Sequence, residues 1–125
     1  MSRPAPKLTI NLAEGSVSIS SFSAEAAREL QAQLNQLMEK LKLVSAKPSA
    51  EQSGTKVKAA PQPPLEYRHI GEVFLEVFCN PNIWATPFAA KVLITVRDER
   101  IRITTEASLN RLLEDVSQYL EAVEG

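Results

Sequence analysis

His69 and Cys79 are the only histidine and the only cysteine in the chain, and Asp98 and Asp115 its only aspartates, so the side chains most used in metal binding and acid–base catalysis are scarce. His69 and Cys79 offer at most two zinc ligands, where a structural zinc site takes four. Ten residues apart on a helix, they would stand about 15 Å from each other, beyond proton-transfer range. Cys79 reads instead as a small apolar residue and His69 as a surface residue. Asp98 falls in a turn and Asp115 on the polar side of a helix. Glu72 and Glu76, four apart, read as a solvated pair rather than an opposed acid and base. The four glycines, at 15, 54, 71 and 125, are too scattered to cradle a phosphate. The expectation is no catalytic, cofactor-binding or metal-binding residue, and no enzyme.

Residues suited to binding are easier to find. Arg97, Arg100 and Arg102 are expected to project together from the outer face of a hairpin, with Ile101 and Ile103 on its buried side. Guanidinium forks match carboxylate and phosphate, so this trio is a candidate electrostatic patch for an acidic tail or nucleic acid. Asp98 and Glu99 beside it favour a solvated face, and no aromatic interleaves the arginines for base stacking. Trp84 and Phe88 sit in the proline-flanked loop Ile83–Phe88, as a core plug or as the lip of a binding groove.

These residues need elements to hold them. Leu8, Ile10 and Leu12 alternate with polar or small residues, Glu14-Gly15 supplies a turn, and Val17 and Ile19 alternate with Ser16, Ser18 and Ser20: a β-hairpin with one apolar face. Ser23 is placed to cap a helix whose stripe is Ala27, Leu30, Leu34, Leu37, Leu41 and Val44. Leu30, Leu34, Leu37 and Leu41 also fit a short coiled-coil seam, which leaves a homodimer open, although packing on the chain's own sheet is the commoner use. The pattern returns 84 residues later. Val92, Ile94 and Val96 lead through Asp98-Glu99 to Ile101 and Ile103. Thr105 is the expected cap of a second helix with Leu109, Leu112, Leu113, Val116, Leu120 and Val123 on its stripe.

Residues 65–84 are ambiguous. As a strand, Val73, Leu75 and Val77 alternate with Phe74, Glu76 and Phe78. As a helix, Tyr67, Ile70, Val73, Phe74, Val77 and Phe78 share one face behind Pro63-Pro64, and the helix is the expectation despite Gly71. Residues 45–64, with five prolines or glycines and almost no large apolar residue, read as a flexible linker. The expected organisation is a first ββα unit at 1–44, the linker, and a second unit at 65–125 that packs with the first as one domain.

The net charge is −1, which disfavours a general polyanion binder. It divides unevenly: residues 1–64 carry eight Lys/Arg against five Asp/Glu, and residues 65–125 six against ten. One cysteine permits no intramolecular disulfide. No run approaches 18 apolar residues and no leader-like stretch opens the chain, so a reducing cytoplasmic setting is expected.

Two ββα units predict an α+β fold, with four strands in one antiparallel sheet covered by helices on one face. Thr9, Asn11, Ser16, Ser18 and Ser20 leave the first hairpin without charges to block an incoming strand. An edge of that kind suits capture of an extended tail of a partner protein, with Trp84 and Phe88 receiving alternate side chains. The stretch Ile94–Ala122 (ITVRDERIRITTEASLNRLLEDVSQYLEA) resembles small accessory proteins of cyanobacteria, similar in size and texture to assembly factors of the photosynthetic or carboxysome machinery. That resemblance implies a non-catalytic cytoplasmic factor that handles a subunit or shell, and no site residue comes from it.

Overall fold

The computed structural model describes residues 7–45 and 62–124. Strands β1 (Leu8–Leu12) and β2 (Gly15–Ile19) form the first hairpin. Gly15, at φ 115°, lets the chain leave the Ala13-Glu14 turn in a conformation that a β-carbon would strain. Helix α1 (Ala24–Ser45) follows. Ser23 caps it, its hydroxyl accepting from the Ala26 N–H at 3.0 Å. The stripe at Ala27, Leu30, Leu34, Leu37 and Leu41 is buried, so the leucine seam is used within this chain. Of the expected linker, residues 46–61 lie outside the described residues. Gln62 exchanges hydrogen bonds with Asn82, and the Pro63 carbonyl accepts from Lys40.

The second half departs from expectation. Residues 65–79 form a second hairpin rather than a helix: β3 (Leu65–His69) pairs with β4 (Phe74–Cys79), with Tyr67 opposite Val77. Leu65, Tyr67, Leu75, Val77 and Cys79 point inward and are buried. Phe74 and Phe78 lie on the opposite face, and Ile70 is exposed in the turn. Gly71 permits that turn, because a β-carbon there would come within 2.8 Å of the His69 imidazole. Two 3-10 turns (Pro81–Ile83 and Pro87–Ala89) lead to β5 (Lys91–Arg97) and β6 (Arg102–Ser108).

The class is α+β, but among the described residues the strands divide into two sheets. β1 and β2 stand alone, and β3-β4-β5-β6 make an antiparallel meander, so the first and last hairpins do not share one sheet. The turn between β5 and β6 is four residues long, with Arg97 opposite Arg102. This leaves Ile101 and Ile103 exposed rather than buried. β6 also continues through Thr105 to Ser108, so Ser108, not Thr105, caps helix α2 (Leu109–Glu124), accepting from the Arg111 N–H.

One core joins these parts. Leu8, Ile10 and Ile19 of the hairpin, the α1 stripe, the inward face of the four-stranded sheet, and Leu109, Leu112, Val116 and Leu120 of α2 form a single buried cluster. α2 packs against α1 and β1. Polar ties reinforce the contact: Gln31 bonds Ser117 across the helices, Arg28 pairs with Glu124, and the Tyr119 hydroxyl donates to the Phe22 carbonyl. No described helix is long and apolar enough to cross a membrane.

Candidate protein-interaction edges

Asp115 fixes the geometry of the first hairpin. Its carboxylate, 5% exposed, accepts the Asn11 backbone N–H at 2.8 Å and the Asn11 side-chain amide at 2.9 Å. The Asn11 N–H therefore points away from β2, and Asn11–Ser16 is a pair without mutual ladder bonds. Such pairs alternate with bonded ones along an antiparallel ladder, which makes Thr9–Ser18 the next of its kind. The Thr9 and Ser18 hydroxyls, 3.1 Å apart, show the close approach expected there. Ser16 and Ser18 thus direct their N–H groups to the outer edge of β2. Among the described residues no strand pairs with that edge, and both serines are exposed.

The expected partner-binding residues are not all brought together. Asn11 is committed to Asp115, and the edge of β1 that carries it is closed at that point. Thr9 is exposed but turns its N–H to the same side as Asn11. Ser20 lies just beyond β2. Trp84 is half-buried against the core and Phe88 is 84% exposed. Their loop packs on α1 and α2, so the side-chain pockets expected beside the hairpin edge are not assembled from them. Among the described residues, no group meets the buried indole N–H of Trp84 in good hydrogen-bond geometry. Its loose contact with the Cys79 sulfur opposes burial, the larger effect, which pushes that thiol's pKa up.

Arg97 and Arg102 face each other across the outer side of β5 and β6, with Arg97 stacked over Phe74 at 4.6 Å from the ring centre. Arg100 lies in the turn rather than on the strand face. Asp98 lines the same concavity as Arg97 and sets a carboxylate beside it. Its carboxylate accepts the Arg100 and Ile101 N–H groups at 2.7 and 2.8 Å, which holds its pKa below the usual range. Glu72 and Glu99 line the same concavity as Arg97, so the patch is of mixed sign.

A cleft of about 650 Å³ lies between the turn of the first hairpin and β6. Leu12, Ala13 and Glu14 form one wall, β6 from Thr104 to Ser108 the other, and Lys91, Leu93 and Arg111 complete it. Sequence reasoning missed both this cleft and the role of Asp115. A signal for the latter was present: Asp115 falls between Leu112 and Val116, at the i+3 position of the helix's own buried stripe.

Comparison with known proteins gives no matching family model, no matching curated protein and no matching solved structure. The chain's own geometry therefore carries the functional argument. Among the described residues, no three His, Cys, Asp or Glu side chains cluster as metal ligands would.

Proposed function

We propose that this protein is a non-enzymatic interaction module, an adaptor or assembly chaperone, that captures an extended segment of a partner protein along the outer edge of β2. The observation that carries this reading is the outward direction of the Ser16 and Ser18 N–H groups, on an exposed edge without a charged side chain between Gly15 and Ser20. Natural sheet edges usually carry charge, proline or a covering element, and an edge lacking these suits strand addition. Main-chain hydrogen bonds supply affinity in that mode, and shape around the edge supplies selectivity. A role in assembling a larger complex accords with the resemblance of residues 94–122 to cyanobacterial accessory proteins.

Ser18→Pro tests the reading, because it deletes an outward donor without removing a bond of the β1–β2 ladder. The variant is expected to keep the wild-type circular dichroism spectrum. Peptides selected on the wild-type protein from a random dodecapeptide library that slow exchange of the Ser16 and Ser18 amides should bind it at least about tenfold more weakly, the equivalent of one lost hydrogen bond plus the steric block. Full binding by folded Ser18→Pro, together with loss in an Arg97→Ala/Arg102→Ala variant, would replace edge capture with electrostatic recognition of an acidic or nucleic-acid partner.

A further inference from the structure

A second strand-binding position is built into the molecule, independent of the β2 edge. We propose that the cleft between the first hairpin's turn and β6 receives an extended peptide that adds to β6 as the fifth strand of the larger sheet.

The register fixes where the unpaired main-chain groups of β6 point. The Asp98 N–H donates to the Ile101 carbonyl at 2.9 Å, and at the other end the Leu109 N–H donates to the Ala90 carbonyl at 3.1 Å. Both pairs have the same parity, so Val96–Ile103, Ile94–Thr105 and Val92–Ala107 are the bonded pairs between them, and Thr95–Thr104 and Leu93–Glu106 are not. The Thr95 and Thr104 hydroxyls, 3.5 Å apart, agree with that assignment. Thr104 and Glu106 therefore turn their N–H and C=O groups away from β5, toward the edge of β6 that walls the cleft and that no strand among the described residues pairs with.

The opposite wall explains why β1 does not fill this opening. β1 runs close to β6, yet no ladder joins them. Asp115, reaching from α2, takes the Asn11 N–H that would otherwise face β6. The hairpin is thus held beside the larger sheet without pairing with it, and its turn hangs over the open edge.

The lining names the occupant. Unpaired strand groups at Thr104 and Glu106 select an extended backbone. Leu12, Ala13 and the 41%-exposed Leu93 offer apolar contact to the side chains of one face. Lys91 and Arg111 are balanced by Glu14 and Glu106, so the cleft has no net preference for a charged tail. The guest is a protein segment of alternating apolar and polar residues, of about the length of the Thr104–Ser108 wall. The volume lies within the range of ligand clefts.

The experiment uses the full chain and the random dodecapeptide library as the probe. Selected peptides should show period-two apolar residues, and their affinity should change less than threefold between 50 and 500 mM salt. In the isotope-labelled protein, a bound peptide should slow exchange of the Thr104 and Glu106 amides at least tenfold, leaving the Asn11 amide unchanged. Glu106→Pro should weaken binding at least tenfold. Leu93→Glu, which alters an exposed side chain and spares the backbone, should weaken it as well should the proline variant not fold. Ser18→Pro should bind the peptides that protect Thr104 and Glu106 normally while losing those that protect Ser16 and Ser18, which separates this site from the β2 edge. Protection confined to Ser16 and Ser18, selection of acidic peptides with steep salt dependence, or no peptide protecting Thr104 and Glu106 would each overturn the proposal.

Discussion

Removing the Asp115 carboxylate should loosen the first hairpin more than any other single polar change in the molecule. Asp115→Ala deletes two hydrogen bonds to a charged acceptor, at 2.8 and 2.9 Å, and leaves the Asn11 N–H without its partner. Bonds to charged groups are each worth about 1.5–3 kcal/mol. Asn11 is only half-buried, so water recovers part of the loss and the lower end applies. The expected cost is about 3 kcal/mol, or a drop in Tm of about 10–15 °C for a domain of this size. Arg111, 3.6 Å from the same carboxylate and half exposed, adds little. The assay is urea unfolding of wild type, Asn11→Ala, Asp115→Ala and the double variant. Asn11→Ala removes only the side-chain bond, so the coupling energy should be about 1–2 kcal/mol and smaller than the full cost of Asp115→Ala. An Asp115→Ala variant within 0.5 kcal/mol of wild type, by the order-of-magnitude standard for a neutral surface change, would refute the strand-pinning role.

Leu34, fully buried on α1, should not tolerate a charge: Leu34→Asp is expected to abolish cooperative unfolding by circular dichroism. Leu113 is only partly buried, and Leu113→Asp should lower Tm without unfolding the chain at 25 °C. Gly71→Ala should cost about 1 kcal/mol, because its β-carbon displaces the His69 ring from its edge contact with Phe22, and the cost should shrink in a His69→Ala background. Burial raises the Tyr67 pKa from its ordinary 10.0 to about 12, with Glu29 adding to the rise. The folded state thus holds that proton more tightly than the unfolded one. The resulting stabilisation is complete below pH 10 and is lost as pH rises to about 12. Denaturation midpoints measured from pH 9 to 12 should fall more steeply for wild type than for Tyr67→Phe.

The first hairpin and α1 were legible because each buries one face only. Leu8, Ile10 and Ile19 point in and the serines out, and the α1 leucines recur at the helical period. Residues 65–79 were not, because β4 carries Phe74 and Phe78 on the face opposite Leu75 and Val77. With apolar side chains on both faces the period-two signal vanishes, and an accidental helical stripe takes its place. The last hairpin was found but its turn was read too short. Ladder register depends on loop length, and a four-residue turn placed Ile101 and Ile103 outside the core. The open β2 edge could be anticipated from its serines. The cleft could not, because it depends on two sheets meeting without pairing, which no local pattern encodes.

The ties between the two ends of the chain bear on how the protein is made. Asn11 bonds Asp115 across 104 residues, and Gln31 bonds Ser117 across 86. Contacts of such separation close late, because the chain must be ordered over its whole length before they repay the entropy of closure. During synthesis the apolar sides of β1 and α1 emerge well before α2, the helix that covers part of both. The nascent first unit therefore waits with its leucines uncovered, itself a candidate for a chaperone until α2 has been made and has packed on it.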